Sequence, residues 1–284
     1  MKLCRFQSLH FPADQIRRPQ QEPTADRPDL RWGVISHTHV QEISGELASE
    51  WKLSGRSYPL SEIELAVPIE PSKIVCVGRN YREHAAELGN ALPQEPLIFL
   101  KPPSSIIGPG EPIVLPALSQ RVDHEGELAV VIGRTCAHLT DADDFRPYIF
   151  GYTCVNDVTA RDIQKKEQQF TRAKSFDTFC PLGPVIETEL DPSDVLVETF
   201  VNGNPRQSGR TSLMNFPVDY LIRWISHMMT LFPGDVIATG TPAGVGPLTP
   251  GDVVEVVVNG VGTLSNPVIA QQGEFSLRPL LPVQ

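Results

Sequence analysis

The chain has 284 residues, 40% of them hydrophobic, and its 34 acidic and 24 basic residues give a net charge of −10. This hydrophobic share is enough for one large domain with a smaller extension. The acidic balance, without any run of Lys and Arg, argues against a nucleic-acid or anionic-membrane partner. Chemistry on a small molecule is therefore expected.

The five cysteines are widely spaced and form no Cys-x-x-Cys pair, which predicts reduced, buried thiols rather than zinc ligands. The opening MKLCRFQSLHF lacks the apolar centre of a signal peptide, and no stretch approaches the length of a membrane span. A cytoplasmic protein is predicted. The 27 prolines and 21 glycines are dispersed without a repeat. They predict a mainly β fold with short helices and many turns.

The first 66 residues contain three short strand-like pieces around a polar, proline-bearing stretch: KLCRF, RWGVIS and HVQEIS. They predict a small N-terminal β domain over residues 1–66. The passage AVPIEPSKIVCVG then leads into a compact apolar strand, which places the boundary near Ala66 and a larger domain over residues 67–284.

Three elements of the larger domain follow from local pattern. Residues REHAAELG predict a short helix that stops at Gly89, with His84 and Glu87 on one face because they are three residues apart. The apolar piece LIFLK predicts a strand that ends at Lys101. Apolar residues at helical spacing predict one long helix over 218–231.

The stretch RVDHEGELAVVIG places two glutamates at the start of a strand. Side chains two apart in an extended chain lie on the same face, so the carboxylates of Glu125 and Glu127 should lie side by side. They repel each other unless a positive charge lies between them. The apolar run 128–132 predicts a strand buried on both faces. A second apolar strand ends at Asn156-Asp157, so Asp157 also occupies a strand end.

Three carboxylates without a His or Cys pair at ligand spacing describe a site of hard oxygen ligands. Such a site favours Mg²⁺, with Mn²⁺ or Ca²⁺ as alternatives. An anionic substrate would then need cations, for which Arg79, Lys101 and Lys174 are the candidates. Taken singly, each of these residues is more commonly a solvated surface residue. Arg161 and Asp162 are predicted to form a structural ion pair or contacts at a helix start rather than to act in catalysis.

Six motifs, VGRNYREHAAE, KPPSS, HEGELAVVIG, NDVTARDIQ, AKSFD and GDVIATGTPAGVG, occur in the order and spacing of one family. Over residues 70–270 the chain resembles the fumarylacetoacetate hydrolase (FAH) superfamily, in its acylpyruvase and oxaloacetate decarboxylase-like branch. The resemblance implies a β-roll catalytic domain, usually dimeric, and assigns the site residues. The implied metal triad is Glu125, Glu127 and Asp157; the implied catalytic residues are His84, Glu87 and Lys174; the implied substrate contacts are Gln164 and Thr241. Arg79 and Lys101, the cations proposed above, and Tyr81 complete the predicted substrate contacts.

The resemblance implies an acid–base dyad of His84 and Glu87 on a lid helix, and a loop at Thr241 that holds the substrate carboxylate. The leading hypothesis is a Mg²⁺-dependent hydrolase that cleaves a carbon–carbon bond in acylpyruvate-like acids. Cleavage would leave a pyruvate enolate, whose charge the metal and Lys174 would stabilise. His84 would activate the attacking water.

Alternatives are oxaloacetate decarboxylase or tautomerase activity, a 2-hydroxymuconate-type isomerase and, remotely, a non-catalytic metal-stabilised binding protein. The expected partners are a small anionic keto acid and a second copy of the chain. The variable loop between Ala160 and Lys174 should decide substrate selectivity.

Overall fold

Strands dominate the fold. The computed structural model describes residues 1–9, 30–47, 50–167 and 169–273. The strands in these residues are β1 Lys2–Ser8, β2 Arg31–Ser36, β3 His39–Gly45, β4 Trp51–Pro59, β5 Ile63–Ala66, β6 Ile74–Gly78, β7 Leu97–Lys101, β8 Ile106–Ile107, β9 Ile113–Leu115, β10 Val122–His124, β11 Gly126–Ile132, β12 Ile149–Asn156, β13 Thr159–Ala160, β14 Cys180–Glu187, β15 Leu196–Val201, β16 Asn204–Arg210, β17 Val236–Ala238, β18 Gly246–Pro247, β19 Val253–Val258 and β20 Gly262–Ala270. The helices are α1 Arg82–Glu87, α2 Arg161–Lys166, α3 Thr171–Lys174 and α4 Val218–Met228. The predicted mainly β fold with short helices is confirmed.

The strands form three sheets. The central sheet has the order β4-β3-β2-β1-β14-β12-β11-β17-β6-β7, with β5 beside β1 and β8 beside β14. A second sheet has the order β16-β15-β19-β20-β9, and a small third sheet has the order β13-β10-β18. The three predicted N-terminal strands are present as β1 to β3. They extend the central sheet because β1 pairs with β14. The domain boundary at residue 66 stays a prediction.

Strand β11 lies in the middle of the core. Leu128, Val130 and Ile132 pack into one hydrophobic cluster, whereas Ala129 and Val131 pack into another on the opposite face. This alternation follows from the two-residue period of a strand. It confirms the prediction of a strand buried on both faces.

The pairing of β11 with β12 positions the site. The two strands are antiparallel, and Gly126 at the start of β11 pairs with Asn156 at the end of β12. The backbone N–H of Asp157 donates to the carbonyl of Glu125 at 2.8 Å, and the Asn156 side-chain oxygen accepts from the N–H of Glu125 at 2.9 Å. Strand ends 30 residues apart in sequence are thereby brought together.

The glycine between the two glutamates is required by the packing of the two larger sheets. A Cβ atom at Gly126 would lie 2.1 Å from the Thr199 hydroxyl oxygen and 3.1 Å from a methyl group of Val256. Thr199 belongs to β15 and Val256 to β19. Only a residue without a Cβ lets the central sheet approach the second sheet this closely.

Helix α4 is shorter than the predicted helix over 218–231. It ends at Met228 because Met229 is extended, with φ of −150°, and Leu231 forms a bridge with Cys136. Its buried face packs on the central sheet, whereas Met228 is 49% exposed. All five cysteines are buried and free, as predicted. None of the helices in the described residues is long and apolar enough to cross a membrane.

Candidate functional site

The three carboxylates of the predicted triad meet at the junction of β11 and β12. Glu125, Glu127 and Asp157 each offer a carboxylate oxygen, and these atoms lie within 4.8 Å of one another. All three side chains are buried. Among the residues that the structure describes, they form the one group of three or more acidic, His or Cys side chains close enough to hold a metal ion.

Three buried cations surround the triad. The Lys174 ammonium donates to Glu125 Oε2 at 2.7 Å and to Asp157 Oδ2 at 2.5 Å. The Lys101 ammonium donates to Asp157 Oδ1 at 2.6 Å, and an Arg161 guanidinium nitrogen donates to Glu125 Oε1. The repulsion expected between the carboxylates is therefore relieved by positive charges from β7, α2 and α3.

The environments of the two glutamates differ. Burial would raise the pKa of Glu125, but the charges of Lys174 and Arg161 outweigh it and hold that pKa well below its ordinary value. Burial and the charges of Asp157 and Glu125 raise the pKa of Glu127 well above its ordinary value. Glu127 forms no ion pair in the described part of the chain, so a bound cation would compensate it best.

A backbone N–H holds Glu127 in place. Gly240 donates to Glu127 Oε2 at 2.7 Å. Gly240 has φ of +104°, and a Cβ there would lie 2.6 Å from the Cβ of Asn80, so the position needs glycine. Three carboxylate oxygens, one without a cationic partner, are a donor set that suits a hard divalent cation.

His84 and Glu87 lie on α1, as predicted, but no hydrogen bond joins them. His84 Nδ1 lies 3.6 Å from Glu87 Oε2 and is buried without a hydrogen-bond partner among the described residues. The Glu87 carboxylate instead accepts from the N–H of Gly244 at 3.1 and 3.2 Å. Burial lowers the pKa of His84, and the nearby charges of Arg161 and Lys174 act in the same direction. The imidazole is therefore neutral near pH 7.

A cavity of about 470 Å³ opens onto the triad. Its wall includes most of the predicted site residues: Arg79, His84, Glu125, Glu127, Asp157, Gln164, Lys174 and Thr241. Two predicted substrate contacts are not on this wall. Tyr81 is 3% exposed and its hydroxyl has no partner among the described residues, and Lys101 lies behind Asp157. Glu87 is also not on this wall; its carboxylate accepts from the N–H of Gly244, which follows Thr241 by three residues.

Arg161 is a site residue that the sequence interpretation missed. Of the two predicted arrangements, the ion pair between Arg161 and Asp162 is wrong and the helix-start contacts agree with the structure: Asp162 lies in the first turn of α2, and its carboxylate accepts from Ser119 and the N–H of Gln120. Arg161 lines the cavity and donates to Asp123 at 2.9 Å as well as to Glu125. The spacing of Arg161 and Gln164 on a helix was the available signal.

Arg161 also sets the orientation of the Gln164 amide. A guanidinium nitrogen of Arg161 donates to Gln164 Oε1 at 2.6 Å. Because a guanidinium only donates, the oxygen of the amide must face Arg161. The NH₂ group of Gln164 is then left to donate to a ligand in the cavity, which suits a carboxylate.

The fold and the site define the class of the protein: a mainly β protein with a buried carboxylate cluster at the base of a polar cavity. The family profile described as fumarylacetoacetate (FAA) hydrolase C-terminal matches residues 73–269, more than half of the chain. The chain therefore belongs to the fumarylacetoacetate hydrolase family, as the motifs indicated. A second profile, described as Rv2993c-like, N-terminal, matches residues 20–68.

Three relatives illustrate the similarity. Protein Rv2993c of Mycobacterium tuberculosis is 53% identical over 244 residues, which cover 85% of this chain and 92% of that protein. Oxaloacetate tautomerase YisK of Bacillus subtilis is 44% identical over 232 residues, 76% of this chain and 77% of the relative. A crystal structure described as 5-carboxymethyl-2-hydroxymuconate delta-isomerase from Mycobacterium smegmatis has a TM-score of 0.82 at 45% identity, covering 95% of this chain and 100% of that chain.

Members of this family are enzymes, among them isomerases, tautomerases and hydrolases. They usually bind a divalent metal ion, and the buried acidic cluster is where residues of this chain would hold one.

Proposed function

We propose that this protein is a divalent-cation-dependent enzyme that interconverts the keto and enol forms of a small dicarboxylic keto acid such as oxaloacetate. The observation that carries the proposal is that the three clustered carboxylates and a neutral, buried imidazole line the same cavity. The names of YisK, an oxaloacetate tautomerase, and of the muconate isomerase support it.

The charges around the triad favour a dianionic substrate. The charges of Lys101, Lys174 and Arg161 equal those of the three carboxylates in number, although their ion pairs are with Glu125 and Asp157 and not with Glu127. A bound divalent cation would leave two positive charges, which a dicarboxylate neutralises better than a monoanion does. Arg79 and Lys165 also lie on the cavity wall and form no ion pair within the described residues.

Glu125, Glu127 and Asp157 would hold the cation. Mg²⁺ is the first choice because it binds through a few carboxylates and keeps positions open for a chelating ligand, with Mn²⁺ or Ca²⁺ as alternatives. When bound, such an ion supplies Lewis-acid stabilisation of negative charge on the substrate oxygens.

The proton transfer is assigned to His84. Its lowered pKa keeps the imidazole neutral, and the side chain lies on the wall of the cavity that contains the triad. It would take a proton from the carbon next to the keto group and return it to that carbon or to the oxygen. Lys174 would stabilise the negative charge that develops, and the Gln164 NH₂ would bind a carboxylate. A single base suffices for this reaction.

Hydrolysis of a carbon–carbon bond in acylpyruvates is the second candidate, and one observation favours it. Glu87 Oε2 is 3.6 Å from His84 Nδ1, so a movement of about 0.6 Å would close a hydrogen bond. The resulting dyad could orient His84 to activate water. Decarboxylation of oxaloacetate needs no general base, so it would depend on His84 less than either other reaction.

The test compares three reactions of the purified protein with Mg²⁺. Ketonisation of enol-oxaloacetate is followed by loss of ultraviolet absorbance, decarboxylation by release of carbon dioxide, and hydrolysis by cleavage of acetylpyruvate and fumarylpyruvate. We expect ketonisation to exceed the uncatalysed rate most strongly and to be lost in His84→Ala. Excess chelator should abolish it and added Mg²⁺ or Mn²⁺ should restore it.

Cleavage of acetylpyruvate or fumarylpyruvate without accelerated ketonisation would refute the proposal in favour of the hydrolase. Full turnover in chelator, with the absence of metal verified by elemental analysis, would refute the metal requirement. Metal binding without turnover of any substrate would favour the non-catalytic binding protein. The expected homodimer stays a prediction, which light scattering can measure.

A further inference from the structure

Strand β16 has one buried side chain, and that side chain is polar. Gln207 is 2% exposed, whereas the other residues of β16 are exposed or half-buried. An inward position on a strand is normally apolar, since an amide loses its hydrogen bonds to water on burial. Gln207 must therefore find replacement partners inside the protein.

The partners of Gln207 come from two separate segments of the site. Its Oε1 accepts from the N–H of Gly126 at 3.0 Å, and its NH₂ donates to the Thr241 hydroxyl and to the carbonyl of Pro242, both at 2.7 Å. A backbone N–H only donates and a carbonyl only accepts, so these two contacts define the orientation of the amide. Nδ1 of His124 lies 3.1 Å from the same Oε1.

The contacts form a closed chain of hydrogen bonds. Because Gln207 donates to the Thr241 hydroxyl, that hydroxyl gives its own proton to the carbonyl of Gly126 at 2.8 Å. Gly126 lies between the two glutamates of the triad. The amide of Gln207 thus joins the segment Glu125–Glu127 to the loop that begins at Thr239. The Thr241 hydroxyl can meet a substrate only as an acceptor, since its single proton is already used.

We infer that Gln207 is a positioning residue, which fixes the segment Glu125–Glu127 relative to the Thr241 loop without touching the substrate itself. Its effect on turnover rests on the proposed function, whereas its effect on backbone order does not. Groups that orient metal-binding carboxylates commonly change metal affinity or activity about 10- to 100-fold when they are replaced.

The experiment compares Gln207→Met and Gln207→Glu with Asn266→Met. Methionine matches the volume of glutamine but cannot form its hydrogen bonds, and Gln207→Glu keeps an acceptor for Gly126 while a carboxylate cannot donate to the Thr241 loop. Asn266 is the matched control, because it is also a buried amide of the second sheet, with its NH₂ on the carbonyls of Gly108 and Glu111 at 2.8 and 2.9 Å.

Three properties are measured for each variant: amide hydrogen exchange without metal, Mn²⁺ affinity by calorimetry, and kcat and KM for oxaloacetate. We expect Gln207→Met to speed exchange in both residues 122–128 and residues 239–246, to weaken Mn²⁺ binding about 10- to 100-fold and to raise KM. Gln207→Glu should speed exchange in residues 239–246, because its carboxylate leaves the carbonyl of Pro242 without a donor. Asn266→Met should lower the melting temperature but leave all three properties at the site unchanged.

The inference is overturned if Gln207→Met behaves like Asn266→Met, with a lower melting temperature and unchanged exchange at both segments. It is also overturned if Gln207→Glu leaves residues 239–246 as protected as they are in the unmodified protein. Exchange is measured without metal or substrate. A failure of the proposed function would therefore abolish turnover in every form and leave the exchange result intact.

Discussion

Replacement of Lys101 by methionine separates two roles for this lysine. As a substrate contact, which its charge suggested in the sequence, Lys101 should affect KM. The structure instead places it at the end of β7, 1% exposed, with its ammonium 2.6 Å from Asp157 Oδ1 and 3.1 Å from the carbonyl of Val158. Methionine keeps an unbranched stem and removes the charge. Lys101→Met should therefore reduce stability and affect metal binding more than substrate binding.

The size of the effect follows from the buried ion pair. Removing one partner of such a pair costs about 3–5 kcal/mol, because the other charge stays buried. Lys174 still donates to Asp157 Oδ2 at 2.5 Å, so the lower end, about 3 kcal/mol, is expected. For a chain of this length that corresponds to a fall in Tm of roughly 6–12 °C. Saturating Mg²⁺ should recover part of the loss, because the cation compensates Asp157.

The assay is thermal and urea denaturation with and without Mg²⁺, together with steady-state kinetics on oxaloacetate. Lys165→Met is the control, because Lys165 is exposed on the cavity wall without an ion pair in the described residues. It should leave stability within about 0.5 kcal/mol and raise KM. If Lys101→Met had the Tm of the unmodified protein and a KM raised tenfold, the structural reasoning would be wrong.

Four further predictions concern single residues. The pKa of His84 is lowered, so the imidazole stays neutral to lower pH and kcat/KM should fall only below pH 6.5. His84→Ala should reduce kcat/KM about 10²- to 10⁴-fold. A fall in kcat/KM that begins above pH 6.5 would contradict the assignment. Gly126→Ala should destabilise by about 1–3 kcal/mol in urea, because its Cβ overlaps Thr199, and added Thr199→Gly should recover part of the loss. Thr241→Val removes the hydroxyl that links Gln207 to the carbonyl of Gly126, so it should raise KM more than it lowers kcat if backbone N–H groups of this loop hold the substrate carboxylate; an unchanged KM would count against that placement. Arg161→Lys should reduce kcat/KM almost as much as Arg161→Met does, because one ammonium group cannot replace a guanidinium with three partners. A kcat/KM of the lysine variant equal to that of the unmodified protein would refute this.

The sequence alone determined the elements whose signal is local. A continuous apolar run predicted the buried strand after Glu127, and strand periodicity placed the two glutamates on one face. Spacing on a short helix placed His84 and Glu87 on the same helix face. The six family motifs named Glu125, Glu127 and Asp157 as a set, and the structure places the three carboxylates together, although no local pattern links Asp157 to the glutamates.

Only the tertiary structure decided which distant groups meet. The register of Gly126 with Asn156 brings Asp157 to the glutamates. The same packing puts Lys101 behind the site and brings Gln207 to Gly126 from 81 residues away. Hydrophobic periodicity reports which face of a strand is buried but not which strand will lie beside it. Contacts between residues far apart in sequence depend on how the sheets pair and pack, and local patterns in one sequence do not report that arrangement.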